Sequence, residues 1–190
     1  MVANYSRLVI DLNRRPKDLT VIPPISDGIL IPGNLSLPQA DRDARGYTFH
    51  APYHQAIEEL IARRSANGAC PVFFGIHSFT PSFHGTPRPW HAGVLWDRDP
   101  RIAGPLLDKL KAMPDICVGD NEPYSGRHPH DYTIDHHAEP GGLPHVGIEI
   151  RQDLIDQRDG AEAWAERLYR GLKDVLADPA LYSPLQQRSR

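Results

Sequence analysis

The sequence has few of the features that mark secreted or membrane proteins. Only two of its 190 residues are cysteines, Cys70 and Cys117, and their wide separation forms no Cys-x-x-Cys motif. We therefore predict buried thiols rather than a disulfide. No apolar run is long enough to span a bilayer, and the N-terminal residues have no apolar signal-peptide core. These absences predict a cytoplasmic protein without membrane partners.

The chain also has little excess charge of either sign and lacks several enzyme motifs. Charged residues make up 24% of the sequence, and the net charge is −3 with histidine neutral. This balance does not indicate a nucleic-acid or membrane-surface binder. A Gly-rich phosphate loop, a Gly-x-Ser-x-Gly elbow and a His-Glu-x-x-His motif are all missing. The sequence therefore does not predict an enzyme whose mechanism depends on one of these three motifs.

Proline and histidine are abundant by contrast, with 19 and 10 residues. The prolines indicate many ordered loops around a small set of regular elements. The histidines concentrate at 77–91 and 128–145, in predicted loops, where ligands and proton carriers often lie. His136 and His137 are too close to Glu139 in sequence for the three to share a metal ion on regular structure, so their roles stay open.

Hydrophobic periodicity predicts strands that alternate with helices. Strands are predicted at 8–10, 71–76, 93–96, 116–118 and 145–150. Helices are predicted at 52–64, 100–113 and 160–176, with Asp159 as the N-cap of the last one. The stretches 11–45 and 119–144 are predicted to be irregular. This alternation predicts an α/β fold with a partly parallel sheet, in one domain over residues 1–178 with a frayed tail at 179–190.

One acidic residue, Glu149, lies inside the apolar run 146–150. Strand alternation places Val146, Ile148 and Ile150 on one face of a strand, and Glu149 on the other. A buried carboxylate usually meets a cation, a metal ion or a substrate, because burying an unpaired charge is costly. On this residue alone, a structural ion pair with an arginine is the more common explanation.

Asn13 and Arg14 follow the first predicted strand, at the edge of the sheet where α/β proteins bind ligands. An arginine guanidinium matches a carboxylate with two hydrogen bonds, and a neighbouring asparagine can add a donor. A solvated turn in which Asn13 caps its own backbone is the alternative. Arg7 begins the same predicted strand, and Arg88 lies in a proline-containing loop further along the chain.

His77 follows the predicted strand 71–76, and Tyr124 lies in the loop after the strand predicted at 116–118. A histidine at a strand end is well placed as a metal ligand or a base, although a hydrogen-bonded core histidine is equally common. A loop tyrosine can donate a hydrogen bond to a substrate or simply pack its ring. With Glu149 and the Asn–Arg pair, these residues fit metal-assisted amide hydrolysis, in which glutamate is the base and arginine polarises the carbonyl.

Five segments of the chain form a specific pattern in a fixed order. They are 5–14 (Tyr-Ser-Arg-Leu-Val-Ile-Asp-Leu-Asn-Arg), 76–81 (Ile-His-Ser-Phe-Thr-Pro), 88–90 (Arg-Pro-Trp), 120–126 (Asp-Asn-Glu-Pro-Tyr-Ser-Gly) and 147–154 (Gly-Ile-Glu-Ile-Arg-Gln-Asp-Leu). The pattern resembles the N-formylglutamate amidohydrolase family, whose fold is similar to that of zinc carboxypeptidases and aspartoacylase. The resemblance implies a three-layer, phosphorylase/hydrolase-like α/β fold with a mixed, mostly parallel sheet flanked by helices.

The resemblance also implies a reaction, the hydrolysis of N-formyl-L-glutamate to L-glutamate and formate in histidine degradation. It implies a zinc ion held by two histidines and a glutamate, with His77 as the last of these ligands. Glu149 would be the general base and then the general acid. Arg7 would polarise the scissile carbonyl.

The remaining candidate residues would recognise the substrate. By the same resemblance, Asn13 and Arg14 would hold one substrate carboxylate, and Tyr124 would face the substrate. Arg88 would hold the second carboxylate. Two alternatives stay open, namely an amidohydrolase for another N-acyl amino acid and a non-catalytic module that binds acidic small molecules.

Members of the family carry a further segment, with early histidines, before the Tyr-Ser-Arg-Leu motif. The resemblance implies that the first two zinc ligands come from that segment, whereas this chain begins at Met1, four residues before Tyr5. We therefore expect the isolated chain to bind zinc poorly and to have little activity. We also expect it to self-associate through an exposed sheet edge.

Overall fold

The computed structural model describes residues 1–127 and 131–185. The strands in these ranges are β1 (Ile25–Ser26), β2 (Ile29–Leu30), β3 (Phe73–Phe79), β4 (Ser82–Phe83), β5 (Thr86–Pro87), β6 (Ala92–Leu95), β7 (Val118–Asp120) and β8 (His145–Arg151). The α-helices are α1 (Gln39–Arg45), α2 (Ala51–Ser65), α3 (Pro100–Lys111), α4 (Tyr132–His137) and α5 (Arg158–Ala177). A π-helical turn, Gly46–His50, joins α1 to α2, and short 3-10 turns lie at Pro32–Asn34, Gln152–Leu154 and Pro179–Leu181.

Four strands form a mixed sheet in the order β3–β8–β6–β7. The pairs β3–β8 and β6–β7 are parallel, and β8 and β6 are antiparallel. Two small hairpins, β1–β2 and β4–β5, lie outside this sheet. The α/β class and the mostly parallel character of the sheet, which were predicted from the alternation of elements and from the resemblance, are confirmed.

One face of the sheet packs against α3 and α5 through the main hydrophobic core. Val146, Ile148 and Ile150 of β8 point into this core, together with a row of buried side chains from α3. Helix α3 begins at Pro100 because the carboxylate of Asp99 accepts a hydrogen bond from the backbone N–H of Arg101, 3.1 Å away. The strand alternation predicted for 145–150 is therefore correct, and it leaves Glu149 on the opposite face.

Helices α4 and α2 cover the opposite face. Helix α4 packs on β3 and β8, and α2 packs on α4. A second, smaller core lies between these elements, with four buried residues: Cys70, Ile134, Ala138 and Leu143. The resulting arrangement of helix, sheet and helix is consistent with a three-layer fold.

Strand β3 lies at one edge of the described sheet, and its outer side has no partner strand among the described residues. Ile76 of β3 and Ile148 of β8 are register neighbours on the same face. Ile148 is fully buried in the main core, whereas Ile76 does not belong to this core and is 55% exposed. Self-association through this edge stays a prediction.

The strand predicted at 8–10 is wrong. This segment forms turns, in which the N–H of Val9 bonds to the carbonyl of Ser6 at 2.9 Å. Ile10 is buried, as the apolar run suggested, but its neighbours are Val21 and Ile22 from a loop. An apolar run indicates that its side chains are buried. Here Ile10 is buried by a loop, and the segment pairs with no strand among the described residues.

Four smaller predictions also need correction. The loop predicted at 119–144 contains α4, a helix too short to produce a periodic apolar pattern, and α1 falls within the stretch 11–45. The strand predicted at 116–118 is β7, which begins at Val118, two residues later than predicted. Helix α5 begins at Arg158 with Gln157 at its N-cap position, so Asp159 lies in the first turn rather than at the cap.

Two further corrections concern residues outside the sheet. The tail is not frayed at 179–181, because Asp178 caps a 3-10 turn that buries Leu181, while residues 186–190 lie outside the described ranges. Cys70 is buried as predicted, but Cys117 is exposed. No helix among the described residues is both long enough and apolar enough to cross a membrane.

Candidate active site

Glu149 occupies the centre of the sheet, on the face that carries α4. Its register neighbours are His77 on β3 and Gly93 on β6. The side chain is buried, and its Oε2 atom has no hydrogen-bond partner among the described residues. No described cation forms an ion pair with it. The structural ion pair that was the common alternative is therefore not present in the described part of the chain.

The surroundings of Glu149 favour its neutral form. Burial, and to a lesser extent the charge of Asp131, raises the pKa of Glu149 to about 7. Arg7, Arg88 and Arg14 oppose this rise through their positive charges. Three of the arginines predicted from sequence thus act electrostatically on the predicted glutamate, and a carboxyl group with this pKa can both accept and donate a proton near neutral pH.

Tyr124 is carried by a loop that crosses directly over β6 and β7. Gly93 makes this approach possible, because a Cβ at that position would lie 2.1 Å from the carbonyl oxygen of Glu122. The side-chain Oδ1 of Asn121 stabilises the loop. It accepts hydrogen bonds from the N–H groups of Trp96, at 3.1 Å, and Gly126, at 2.8 Å. The loop is therefore fixed beside the strand position that neighbours Glu149.

Arg88 and Tyr124 contact each other. The Nη1 of Arg88 donates a hydrogen bond to the hydroxyl of Tyr124 at 3.0 Å. The guanidinium carbon lies 4.9 Å from the centre of the Tyr124 ring and 4.7 Å from that of Phe83. Two aromatic rings and a hydroxyl thus orient the cation, which remains able to meet an anion with its other N–H groups.

The segment 11–14 is held in a compact turn. The carboxylate of Asp11 accepts hydrogen bonds from the N–H of Asn13, at 2.9 Å, and from the guanidinium of Arg7. The Oδ1 of Asn13 accepts a hydrogen bond from the N–H of Thr133 at 2.8 Å, at the start of α4. Asn13 therefore presents its NH₂ group as the donor, and Arg14 follows it on the same turn.

Two buried histidines clamp the backbone of this turn, and sequence analysis missed both. The Nε2 of His54 bonds to the carbonyl of Leu12, and the Nε2 of His50 bonds to that of Arg14, each at 2.9 Å. Burial, followed by the charge of His50, lowers the pKa of His54 to about 4, so His54 is neutral at neutral pH. Their spacing of four residues, which places both on one helical face, was the available signal.

Asp131 is another residue that sequence analysis missed. It is buried and caps α4 by accepting a hydrogen bond from the N–H of Ile134 at 3.2 Å. It also acts on Glu149 electrostatically. An aspartate before a short helix is a recognisable capping signal, but its closeness to Glu149 depends on the packing of α4 against β8.

The resemblance implies a zinc ion at His77, which would need further ligands close to that residue. A zinc site normally has at least three protein ligands. Within residues 1–127 and 131–185, His77 belongs to no group of three histidine, cysteine, aspartate or glutamate side chains close enough to share an ion. The described residues therefore do not fit a complete zinc site at His77. A group that does meet this criterion lies on α2 and α4 and consists of Glu58, His136 and His137.

Comparison with known proteins decides the family. Residues 1–156 match the model of the N-formylglutamate amidohydrolase family. The chain belongs to this family. Its structure is similar to the crystal structure of gene product Atu2144 from Agrobacterium tumefaciens, with a TM-score of 0.85 and 38% sequence identity over 91% of this chain and 68% of that chain. No curated protein matches the chain.

Membership of the N-formylglutamate amidohydrolase family makes this protein a hydrolase that acts on an amide bond of a small molecule. The resemblance inferred from five sequence segments is thereby confirmed. The site described above suits such a reaction, because three arginines act electrostatically on a buried carboxyl group with a pKa of about 7, and their charges can attract an anionic substrate.

Proposed function

We propose that the chain hydrolyses N-formyl-L-glutamate to L-glutamate and formate, as a step of histidine degradation. The observation that supports this proposal is Glu149, a buried carboxyl with an unpartnered oxygen and a pKa of about 7, close to three arginines. N-formylglutamate carries two carboxylates and one formamide. An anionic substrate of this kind matches a site that combines several cations with one group able to move a proton.

Glu149 moves the proton in the proposed reaction. Its carboxylate accepts a proton from a water molecule as the water oxygen attacks the formyl carbon. The C–N bond then breaks, and the protonated Glu149 gives the same proton to the leaving nitrogen. The second proton of the water passes from the resulting formic acid to the amine. Formate and the ammonium group of glutamate result, and Glu149 returns to its starting form.

Arg7 steadies the oxyanion that forms on the formyl oxygen. Asp11 orients the Arg7 guanidinium through a direct ion pair. Fixed positive charge near a developing oxyanion lowers the barrier because the charge needs no rearrangement during the reaction. This role depends on the substrate formyl group lying between Arg7 and Glu149.

Arginines from two loops bind the two carboxylates of the substrate. Asn13 and Arg14 hold one carboxylate from the turn that His50 and His54 clamp. Arg88 holds the other, oriented by Tyr124. Two separate cationic groups would explain a preference for an N-formyl amino acid with an acidic side chain.

For zinc, the proposal states only what the ion would do when bound and which residue would bind it. When bound, a zinc ion would acidify the attacking water. His77 is the ligand that this chain offers beside Glu149, and the described residues do not complete a zinc site there. The proposal also includes one catalytic domain over residues 1–178, a fold like that of zinc carboxypeptidases and a cytoplasmic location.

A substrate panel tests the proposed function. Formate or acetate release would be measured with N-formyl-L-glutamate, N-formyl-L-alanine and N-acetyl-L-glutamate, with and without added zinc. We expect the first substrate to have the highest kcat/KM. Faster turnover of N-acetyl-L-glutamate would instead indicate an amidohydrolase for another acyl group. Binding of N-formyl-L-glutamate without turnover under any condition would indicate a non-catalytic binding module.

A further inference from the structure

We propose a second site on this chain, a transition-metal site formed by Glu58 of α2 with His136 and His137 of α4. Each residue offers one ligand atom, and these atoms all lie within 4.8 Å of one another. The Nε2 of His136 is already 3.5 Å from the Oε1 of Glu58. The site shares no residue with the Glu149 region, and it does not depend on the proposed function.

The donor set selects the class of ion. Two imidazoles and one carboxylate suit Zn²⁺ and similar ions such as Co²⁺ and Ni²⁺. Mg²⁺ and Ca²⁺ prefer oxygen ligands throughout and would bind weakly here. Three protein ligands leave a fourth position for water, and the exposure of Glu58 and His136 gives an ion access from solvent.

A hydrogen-bonded neighbour prepares His137 for such an ion. The Leu12 carbonyl can only accept, so the Nε2 of His54 carries the proton of that hydrogen bond. The Nδ1 of His54 then accepts a hydrogen bond from the Nε2–H of His137, across 2.7 Å. This leaves the lone pair of His137 on Nδ1, which no other described residue contacts by hydrogen bonding. Metal-binding histidines are usually fixed in this way through their second nitrogen.

The ring of His136 is also held in place. It stacks on Tyr132, with ring centres 5.0 Å apart and an angle of 17° between the planes. A ring held in this way loses less side-chain freedom when it binds an ion than a mobile one would. An ion bound here would tie α2 to α4 and, through His54, to the backbone at Leu12.

Metal binding by the full chain tests this site. The protein would be stripped with a chelator and dialysed, then titrated with Zn²⁺ or Co²⁺ while bound metal and thermal unfolding are measured. Mg²⁺ serves as the control ion. The expectation of poor zinc binding concerns the catalytic ion at His77. At the second site we expect one equivalent of Zn²⁺ to bind and to raise the unfolding temperature, because an ion that binds only the folded state stabilises it. Absence of zinc binding by the unmodified chain would overturn the proposal.

Variants assign the site. Glu58→Gln and His136→Asn change exposed side chains and should each weaken Zn²⁺ binding by more than about 100-fold, since losing a hydrogen-bonded neighbour of a ligand alone costs about 10–100-fold. Glu59→Gln, one residue along the same helix, should bind like the unmodified chain. His77→Asn should also retain this ion. Unchanged affinity in both ligand variants, or loss of the ion only in His77→Asn, would show that the ion binds elsewhere.

Discussion

His77 and Glu149 lie side by side on the parallel strands β3 and β8, with their side chains on the same face of the sheet. They are separated by 71 residues of sequence, which include the helices α3 and α4 and several loops. Parallel pairing places equivalent strand positions together, so one polar side chain from within β3 meets one from within β8. His77 therefore lies inside a strand, whereas the sequence had predicted a position after the strand end. Glu149 is the more deeply buried of the two.

The first prediction concerns the role of Glu149 in the reaction. Replacing it by glutamine keeps the size of the side chain but removes its ability to exchange a proton. If Glu149 is the general base, kcat for N-formyl-L-glutamate should fall by at least about 10²-fold, the usual range for such groups being about 10²–10⁴. Circular dichroism should show an unchanged fold.

The control for this variant is Glu162→Gln, which changes an exposed glutamate of α5. It should leave kcat unchanged. A Glu149→Gln protein with near-normal kcat would return Glu149 to a structural role.

The second prediction concerns stability and pH. The pKa of Glu149 is about 7 in the folded protein, above its ordinary value of 4.5. The folded state therefore binds the proton more tightly than the unfolded state does. The protonated Glu149 therefore contributes to the free energy of unfolding. This contribution is fully present below about pH 4.5 and is lost as pH rises to about 7.

Urea unfolding of the unmodified chain and of Glu149→Gln, in chelator, measures this effect. Above pH 7 the glutamine variant should be more stable than the unmodified chain by up to about 3 kcal/mol, since one pKa unit corresponds to about 1.4 kcal/mol. Near pH 4.5 the difference should shrink. A difference that is the same at both pH values would contradict the raised pKa.

The third prediction concerns Arg14. Lysine at this position keeps the charge but loses the planar, two-pronged hydrogen-bonding group. Arg14→Lys should weaken substrate binding and reduce the preference for N-formyl-L-glutamate over N-formyl-L-alanine. Arg15→Lys on the neighbouring residue is the matched control. Equal losses on both substrates would show that Arg14 does not read the side-chain carboxylate.

The fourth prediction concerns the contact between Arg88 and Tyr124. Phenylalanine at 124 keeps the ring against the guanidinium but removes the hydroxyl that accepts its hydrogen bond. We expect KM for N-formyl-L-glutamate to rise severalfold with little change in kcat, because Arg88 is misoriented but the proton-transfer group is untouched. Tyr169→Phe, on the exposed side of α5, should change neither constant. A fall in kcat alone would place Tyr124 in the chemical step instead.

The fifth prediction concerns Gly93. A Cβ there would lie 2.1 Å from the backbone oxygen of Glu122, so Gly93→Ala must displace the loop that carries Tyr124. We expect a destabilisation of about 1–3 kcal/mol, the usual cost of overpacking. Gly104→Ala, in α3 where a Cβ meets nothing within 4 Å, should instead stabilise the protein by up to about 1 kcal/mol. Urea denaturation of both variants would measure these changes, and a neutral Gly93→Ala would contradict the close approach.

The amino-acid sequence by itself determined the long regular elements and the family. Helices α2, α3 and α5 and strand β8 were predictable because their apolar residues recur with the period of one kind of element. Strands β3 and β6 were predictable because each contains a short apolar run. The same periodicity placed Glu149 on the face opposite the main core. The ordered motifs identified the family, which the match over residues 1–156 confirmed.

The tertiary structure alone decided which side chains meet. The hydrogen bond between His54 and His137 joins residues 83 positions apart, and the link between Asn13 and Thr133 spans 120. No local pattern encodes such contacts, because they depend on how α4 docks on the sheet. For the same reason Glu58 was not predicted as a partner of the histidine pair. A sequence reports the preferences of each segment, whereas a site depends on the relative positions of segments, which packing sets.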